Sequence, residues 1–218
     1  MNRPAPENLR VSVRELRLMT GRALLTTAIP FGGVAATRDV VVAAETHGLG
    51  GISGLLAALD ALRARHLRPE LNGPTARFPA LDAQPPLATA ADLLDLAVAG
   101  AHAEGSATFA AAGHDWAVRA LAPLARRHGV ALDLTATTVT ASVAKDGPMP
   151  GPDAAELRAL TYGLPVAGAL WQRLVAAAEE ALTPDSALSR THAGDSLFGP
   201  DGQILAEVGE DEPVEVAS

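Results

Sequence analysis

The amino-acid sequence predicts a mixed α/β fold, in which an N-terminal layer of three helices precedes a small mixed sheet with crossover helices and two C-terminal helices. Three observations support this prediction. Apolar residues recur at helical spacing before residue 66, β-branched residues concentrate between residues 130 and 144, and extended and helical segments alternate between residues 75 and 144. Such alternation is typical of crossover units, which predict a partly parallel sheet with helices packed on it.

The first helix is predicted to begin directly after Ser12. Ser12 and Glu15 have the spacing of a capping box, in which each side chain accepts a hydrogen bond from the backbone amide of the other residue. Pro30 should end this helix, because proline cannot donate a helical hydrogen bond. The residues at helical spacing that we expect to be buried are Val13, Leu16, Met19, Ala23 and Leu24.

Two further helices complete the predicted N-terminal layer. The second spans residues 34–46, and the glycine-rich residues 48–51 separate it from the third, which Ser53 should cap. These glycines lack the spacing of a nucleotide-binding loop, so we interpret them as a turn between helices, with anion binding at the start of the third helix as the less favoured alternative. The third helix should bury one face, consisting of Leu55, Leu59, Leu62 and His66.

The middle of the chain supplies the predicted sheet. Residues 75–81 form a short extended segment, a helix runs from a capping box at Thr89 and Asp92 to about residue 103, and residues 106–111 form a buried strand. A helix follows over residues 114–127, and Pro123 must kink or split it. The predicted strands after that helix are residues 130–135 and 137–144, which are rich in β-branched residues.

Two helices are predicted at the C-terminal end, over residues 153–160 and from Pro165 to Leu182. We expect one globular domain over residues 1–202. Residues 203–218 contain only acidic charges and should form a disordered tail. The acidic residues of this segment are Glu207, Glu210, Asp211, Glu212 and Glu215.

Composition excludes several classes of function. The net charge is −8 and aromatic residues make up 3% of the chain, so neither the clustered basic face nor the stacking residues of a nucleic-acid-binding protein are expected. The absence of cysteine removes thiolate metal sites and thiol nucleophiles. No uncharged stretch is long enough to span a membrane, and residues 1–14 lack the apolar core of an export signal. These observations predict a cytoplasmic protein.

The polar residues offer few local constellations for catalysis. None of the histidines stands three or four positions from another, so no helical pair of metal ligands is present and we predict no metal site. His114 follows a predicted buried strand, where α/β folds often place reactive groups, and could act as a general acid or base. The alternative is that it belongs to a helix cap. The loop around Arg190 and His192 could bind an anion or could be an ordinary solvated loop.

The residues from Val13 to Gly48, and the middle segment from Arg77 to Gly129, resemble the malate/L-lactate dehydrogenase family that uses NAD or NADP without a Rossmann fold. The resemblance implies that His114 exchanges the proton while a nicotinamide cofactor exchanges the hydride. The family has a Ser-His-Gly motif where this chain reads Gly-Gly-Ile-Ser at residues 50–53. A substrate-binding histidine would therefore have to be His47 or His192.

The chain from Val11 to Gly194 also resembles an uncharacterised bacterial family of about the same length. The resemblance lies in the opening helices and in a late Ser-Arg…Gly-Ala-Gly motif, which here reads Ser-Arg-Thr-His-Ala-Gly over residues 189–194. That family implies no particular activity.

Two functions are therefore expected from the sequence. The first is a shortened malate/lactate dehydrogenase-like oxidoreductase, or a binder of a small hydroxy or keto acid. In this hypothesis His114 is catalytic, and the substrate-binding residues are Arg77, His47, Arg190 and His192, because arginine can bind a carboxylate with two hydrogen bonds. The alternative is a non-catalytic subunit or assembly partner, which would be a homo-oligomer or part of a hetero-complex and would bury apolar helix faces against another chain.

Overall fold

The fold is described here from a computed structural model. It describes residues 7–64, 84–111, 115–147 and 151–182, and it describes the backbone alone for residues 70–72, 75–77, 196–198 and 204–207. The chain divides into two compact units, residues 1–181 and 182–218.

The structure confirms the predicted mixed α/β fold. The helices of the described residues are α1 (Val13–Leu25), α2 (Phe31–Thr46), α3 (Gly51–Ala64), α4 (Leu87–Glu104), α5 (Trp116–Arg119), α6 (Leu121–Arg127), α7 (Ala154–Tyr162) and α8 (Gly168–Glu179). The strands are β1 (Asn8–Val11), β2 (Glu70–Asn72), β3 (Thr75–Arg77), β4 (Ser106–Ala110), β5 (Val130–Leu134), β6 (Thr138–Val143), β7 (Leu164–Ala167), β8 (Ser196–Phe198) and β9 (Ile204–Glu207).

Helix α1 begins as the sequence predicts and ends earlier. The hydroxyl of Ser12 accepts from the amide of Glu15 at 3.1 Å, and the carboxylate of Glu15 accepts from the amide of Ser12 at 2.9 Å, which confirms the capping box. The helix ends at Leu25, before Pro30 is reached. The reason is that Thr26 and Thr27 donate their hydroxyls to the carbonyls of the last turn, at 2.8 and 2.6 Å, and so satisfy groups that the helix leaves unpaired.

Helices α2 and α3 both begin earlier than predicted. Pro30 precedes α2 directly, with a φ of −55° that suits the start of a helix, so Gly32 lies within the first turn. Helix α3 begins at Gly51, so Ser53 lies within its first turn and is not its N-cap. The hydroxyl of Ser53 donates to the carbonyl of Gly50 at 2.9 Å. Gly51 is buried against the backbone of α2, where no side chain would fit. This close approach fixes the packing of α3 on α2.

The core of the first unit joins the N-terminal helices to the rest of the fold. Helix α1 packs against α2 and α8, and α2 also packs against α3 and α4. The predicted interior face of α3 is confirmed for its three leucines, whereas His66 lies outside the described residues. The largest fully buried side chains are Leu16, Leu24, Ile52, Leu55, Leu62, Leu87, Leu93, Leu121, Leu174, Val40, Val41 and Val118.

The central sheet has the order β4-β6-β5. Strands β4 and β5 run in the same direction and are connected through α5 and α6, so the crossover is present as predicted. The hydrogen-bonded pairs are nevertheless antiparallel, because β6 lies between β4 and β5 and runs opposite to both. One face of the sheet is buried by Phe109, Val139 and Ala141, and it packs against α4. Parallel pairing within this sheet was therefore a wrong expectation.

For the helices that flank the sheet, one prediction is wrong and two are confirmed. Helix α4 begins at Leu87, and Thr89 is a buried residue within it and does not cap it. The carbonyls of Pro85 and Pro86 already accept from the amides of the first turn, so a cap at Thr89 has no role. Gly105 ends α4 with a φ of 80°, the left-handed conformation that favours glycine. The predicted helix over residues 114–127 is split into α5 and α6 at Ala120.

A small antiparallel sheet that the sequence analysis did not predict consists of β1 and β7. Pro165 was expected to begin the last helix, but it lies in β7, and α8 begins at Gly168. Leu164 and Val166 alternate with exposed neighbours, the burial pattern of a strand. Because Asn8 pairs with Ala167, this sheet places the N-terminal strand β1 beside the start of α8.

The second unit contains β8 and β9, which pair antiparallel. Residues 204–207 of the predicted disordered tail therefore form a strand, and the rest of that tail lies outside the described residues. Over the described part of the chain, no helix has both the length and the apolar character needed to cross a membrane.

The hydroxyl of Thr20 is buried in α1 and has no hydrogen-bond partner among the residues that the structure describes. A buried polar group without a partner destabilises the folded state, so we expect Thr20→Val to raise the free energy of unfolding by about 1 kcal/mol, or the melting temperature by roughly 2–4 °C. Thr26→Val is the matched control, because it removes a hydroxyl that donates to the carbonyl of Ala23 at 2.8 Å and should lower stability by a similar amount. Thermal unfolding of both variants tests this. A destabilised Thr20→Val protein would contradict it.

Candidate functional site

The candidate site is centred on His47, which follows the last residue of α2. Its Nδ1 lies 2.8 Å from the carbonyl oxygen of Ala43, one turn back in α2, and its Nε2 lies 2.9 Å from the Asp153 carboxylate. The side chain is 20% exposed. The imidazole therefore links the end of α2 to residue 153, which immediately precedes α7.

The hydrogen bonds of His47 determine its protonation. A carbonyl and a carboxylate can only accept, so this arrangement favours the charged imidazolium, in which both ring nitrogens donate. Burial lowers the pKa of His47, but the hydrogen bonds to Asp153 and Ala43 and the negative charges of Asp153 and Glu156 outweigh burial. The pKa of His47 is therefore raised above its ordinary value of 6.5. In this arrangement the ring has no free nitrogen with which to accept a proton from a substrate.

Asp153 caps α7 while it binds His47. Its Oδ1 accepts from the amides of Ala155 and Glu156 at 2.9 and 3.0 Å, and the carboxylate of Glu156 accepts from the amide of Asp153 at 3.0 Å. Burial raises the pKa of Asp153, but the hydrogen bond from His47 and the backbone amides together hold the pKa below its ordinary value of 3.8. The Asp153 carboxylate is therefore an anion that accepts hydrogen bonds both from the first amides of α7 and from His47.

An ion pair extends this network to α6. Glu156, whose side chain is only 12% exposed, binds the guanidinium of Arg127 in the last turn of α6. His47, Asp153, Glu156 and Arg127 thus connect three helices, and each positive group faces a carboxylate. Within this network the charges cancel.

The cleft beside this network, which we call the α6–α7 cleft, has a volume of about 210 Å³. Among the described residues, Arg126 is the charged residue of its wall that lacks an ion-pair partner. Arg126 is exposed. The residues that line the cleft are His47, Ala122, Pro123, Arg126, Arg127, Gly151, Asp153 and Glu156.

A second cavity, of about 120 Å³, lies on the other side of Arg127 and Glu156, between α1, α2, α6 and α7. Its charged wall is formed by Arg17 and Asp39, which make an ion pair of 2.6 Å. Arg38 also binds Asp39, at 3.0 Å. Because Arg17 and Asp39 face each other, this cavity offers a ligand less uncompensated charge than the α6–α7 cleft.

The sequence-predicted site residues are only partly placed by the structure. His47 lies on the wall of the α6–α7 cleft. Arg77 ends β3, where its backbone pairs with Glu70, and the position of its side chain is outside the description. His114, Arg190 and His192 lie outside the described residues. The five residues have therefore not been shown to form one site, and their predicted roles stay predictions.

Asp115, the neighbour of His114, is described. Its carboxylate caps α5 by accepting from the amide of Ala117 at 2.8 Å. Burial raises the pKa of Asp115 above its ordinary value of 3.8, and the hydrogen bonds from the α5 amides only partly oppose this. Asp115 is thus a helix cap, while His114, for which a helix cap was the alternative to a general acid or base, lies outside the described residues, so both interpretations of it stay predictions.

Sequence reasoning missed four charged residues of the candidate site, which are Arg126, Arg127, Asp153 and Glu156. Asp153 and Glu156 have capping-box spacing, a signal that could have identified both carboxylates. Arg126 and Arg127 had no such signal, because a basic residue in the last turn of a helix is usually explained by the helix dipole. Across the described residues, no three histidine or carboxylate side chains are gathered as a metal ion would require.

Comparison of the chain with protein-family models, with curated proteins and with solved structures finds no match.

Proposed function

We propose that the protein binds a small hydroxy or keto acid in the α6–α7 cleft, with Arg126 as the residue that recognises the carboxylate. The observation that carries the proposal is that, within the described part of the chain, the guanidinium of Arg126 has no ion pair on the wall of a cleft whose other charges are paired. Arginine presents parallel N–H groups that match the two oxygens of a carboxylate. One anionic group of a ligand would therefore neutralise the positive charge of Arg126 in the cleft.

The size of the cleft supports a small ligand. Pockets for drug-sized molecules have volumes of roughly 300–1,000 Å³. The α6–α7 cleft is smaller, at about 210 Å³, so it suits an acid of a few carbon atoms better than a dinucleotide. If a nicotinamide cofactor binds this protein, it must bind mainly outside this cleft.

His47 contributes to the proposed site by positioning. Both of its ring nitrogens already donate, to Ala43 and Asp153, so it has no free hydrogen-bonding group for the acid. Its positive charge is paired with the Asp153 carboxylate at 2.9 Å, and this contact holds one wall of the cleft in place. We therefore assign His47 to the support of the cleft, and the direct contact to Arg126.

Oxidoreductase activity is a separate part of the proposal. In it, His114 would exchange the proton of the substrate hydroxyl, and a bound NAD or NADP would supply the hydride chemistry, as the resemblance to the malate/L-lactate dehydrogenase family implies. The proposed cytoplasmic location is supported by the cysteine-free sequence, which fits a reducing compartment.

Calorimetric titration of the purified chain with L-malate, L-lactate and pyruvate tests the binding proposal. We expect saturable binding of at least one of these acids, weakened about tenfold or more by Arg126→Gln, because the substitution removes the charge and the paired donors. Arg119→Gln is the matched control, since Arg119 is an exposed arginine in the neighbouring helix α5 and does not line the cleft. Equal affinity of the Arg126→Gln and unaltered proteins, or no binding of any of these acids, would refute the proposal.

A further inference from the structure

A larger groove lies between α1 and α2, remote in sequence from α6 and α7. We call it the α1–α2 groove. Its volume is about 550 Å³, and it is open to solvent along its length. The lining residues are Arg14, Arg17, Leu18, Gly21, Arg22, Leu25, Phe31, Val34, Ala35 and Arg38.

Large apolar side chains are exposed on this groove. Phe31 is 84% exposed, Leu18 is 48% exposed and Leu25 is 49% exposed. By contrast, Leu16 and Leu24 of α1 and Val40 and Val41 of α2 are fully buried. An exposed cluster of large apolar residues that is bordered by polar groups is typical of a binding surface. Phenylalanine and arginine are both enriched at the centres of protein interfaces.

The border of the groove is strongly basic. It carries four arginines, and Asp39, beside the groove, is bound to two of them, Arg17 at 2.6 Å and Arg38 at 3.0 Å. Arg14 and Arg22 have no ion pair within the described ranges. The groove thus keeps an excess of positive charge on a chain whose net charge is −8. A partner with carboxylates would be complementary to it.

The shape of the groove matches a helix. Arg14, Leu18, Arg22 and Leu25 recur at intervals of three or four residues, so they form a straight row along α1 of about 17 Å. On the opposite wall, Phe31 and Arg38 stand on α2. Gly21 and Ala35 contribute almost no side chain between the walls, so a third helix could place side chains there beside Arg38.

We propose that the α1–α2 groove binds an acidic amphipathic helix of a partner protein. The apolar face of that helix would contact Leu18, Leu25 and Phe31, and its aspartate or glutamate residues would face Arg14 and Arg22. Arg14 and Arg22 stand on α1. Arg38, which shares Asp39 with Arg17, adds a basic group on α2, so the groove suits a helix with carboxylates on both flanks. A membrane surface is flat and would contact only the rims, so the groove favours a helix over an anionic bilayer.

The test is calorimetric titration of the full chain with a designed peptide of about 18 residues, long enough to form a helix, that carries leucine on one face and glutamate on both flanks. We expect saturable binding that weakens with added salt. Arg22→Glu and Phe31→Ser should each weaken it about tenfold or more, because they reverse a charge of the border and remove the most exposed apolar contact. Arg119→Glu, outside the groove, should leave it unchanged.

Three results would overturn the proposal. The first is unaltered affinity of the Arg22→Glu and Phe31→Ser proteins, after circular dichroism has shown that both are folded. The second is binding to vesicles of phosphatidylserine and phosphatidylcholine that depends on Arg22 and Phe31, without binding of the peptide. The third is a dimer in light scattering that Phe31→Ser dissociates, since a second copy of the chain would then cover the groove. Because Arg126 is absent from the groove, Arg126→Gln should not affect peptide binding.

Discussion

Replacing Gly51 with alanine should lower the free energy of unfolding by about 3 kcal/mol, which corresponds to a fall in melting temperature of roughly 6–12 °C. A Cβ atom at residue 51 would overlap the carbonyl oxygen of Val41 and crowd the amide of Glu45. Both groups belong to the backbone of α2, so no side chain can rotate away to make room. Helix α3 would have to shift along its whole length. Denaturant and thermal unfolding measure this cost.

Gly32→Ala is the control for this prediction. Gly32 also lies in a helix, α2, but a Cβ atom there would meet no other atom within 4 Å. Because alanine favours helix more than glycine does, the substitution should raise stability by up to about 1 kcal/mol. If the two alanine variants had equal stability, the close approach of α3 to α2 would not be a determinant of the fold.

The sequence predicted the elements whose signals are local. The capping box at Ser12 and the glycine after α4 act on their own helix ends, so the patterns alone identified them. The strand pair β1 and β7 is different, because each strand has only four residues and their pairing joins Val11 to Leu164. A four-residue alternation is too short to distinguish from a loop, and only tertiary pairing stabilises it.

The antiparallel arrangement of the central sheet was unpredictable for a related reason. The alternation of strands and helices up to β5 is the same whether β4 and β5 are neighbours or are separated by another strand. Strand β6 follows β5 through a short turn, in which the hydroxyl of Thr135 accepts from the amide of Thr138 at 3.0 Å. This hairpin places β6 beside β5, and β6 then occupies the position that a parallel neighbour would need.

The candidate site was less predictable than the fold. Its central contact joins His47 to Asp153, which are 106 residues apart, and no sequence pattern relates them. The resemblance directed attention to His47 as a substrate ligand, whereas the structure uses both of its ring nitrogens to hold α2 and α7 together. A histidine near the end of a helix and an N-terminal capping aspartate were each predictable as local features. Their meeting depends on how α2 and α7 pack.

Asp153→Ala should lower the free energy of unfolding by about 2 kcal/mol near pH 5.5, because the substitution removes the cap of α7 and one acceptor of the charged His47. Asp153→Asn is the matched variant. Asparagine caps helices as well as aspartate does, so it should keep the two amide contacts and cost only about 1 kcal/mol, for the lost charge. Urea unfolding of the three proteins measures both values. Equal stability of all three would show that the His47–Asp153 contact does not stabilise the fold.

The pH dependence of this contribution follows from the direction of the two pKa shifts. The pKa of His47 is raised above 6.5 in the folded state, so its contribution is complete below that pH and is lost as the pH rises through the folded value. The pKa of Asp153 is lowered below 3.8, so its contribution is present above that pH and is lost as the pH falls through the folded value. The pair should therefore stabilise the protein most between these two ordinary values. His47→Gln should abolish the loss of stability on the alkaline side while leaving the acid side governed by the other carboxylates. If His47→Gln and the unaltered protein lost stability in parallel above pH 6.5, the imidazolium would not be the group that links α2 to α7.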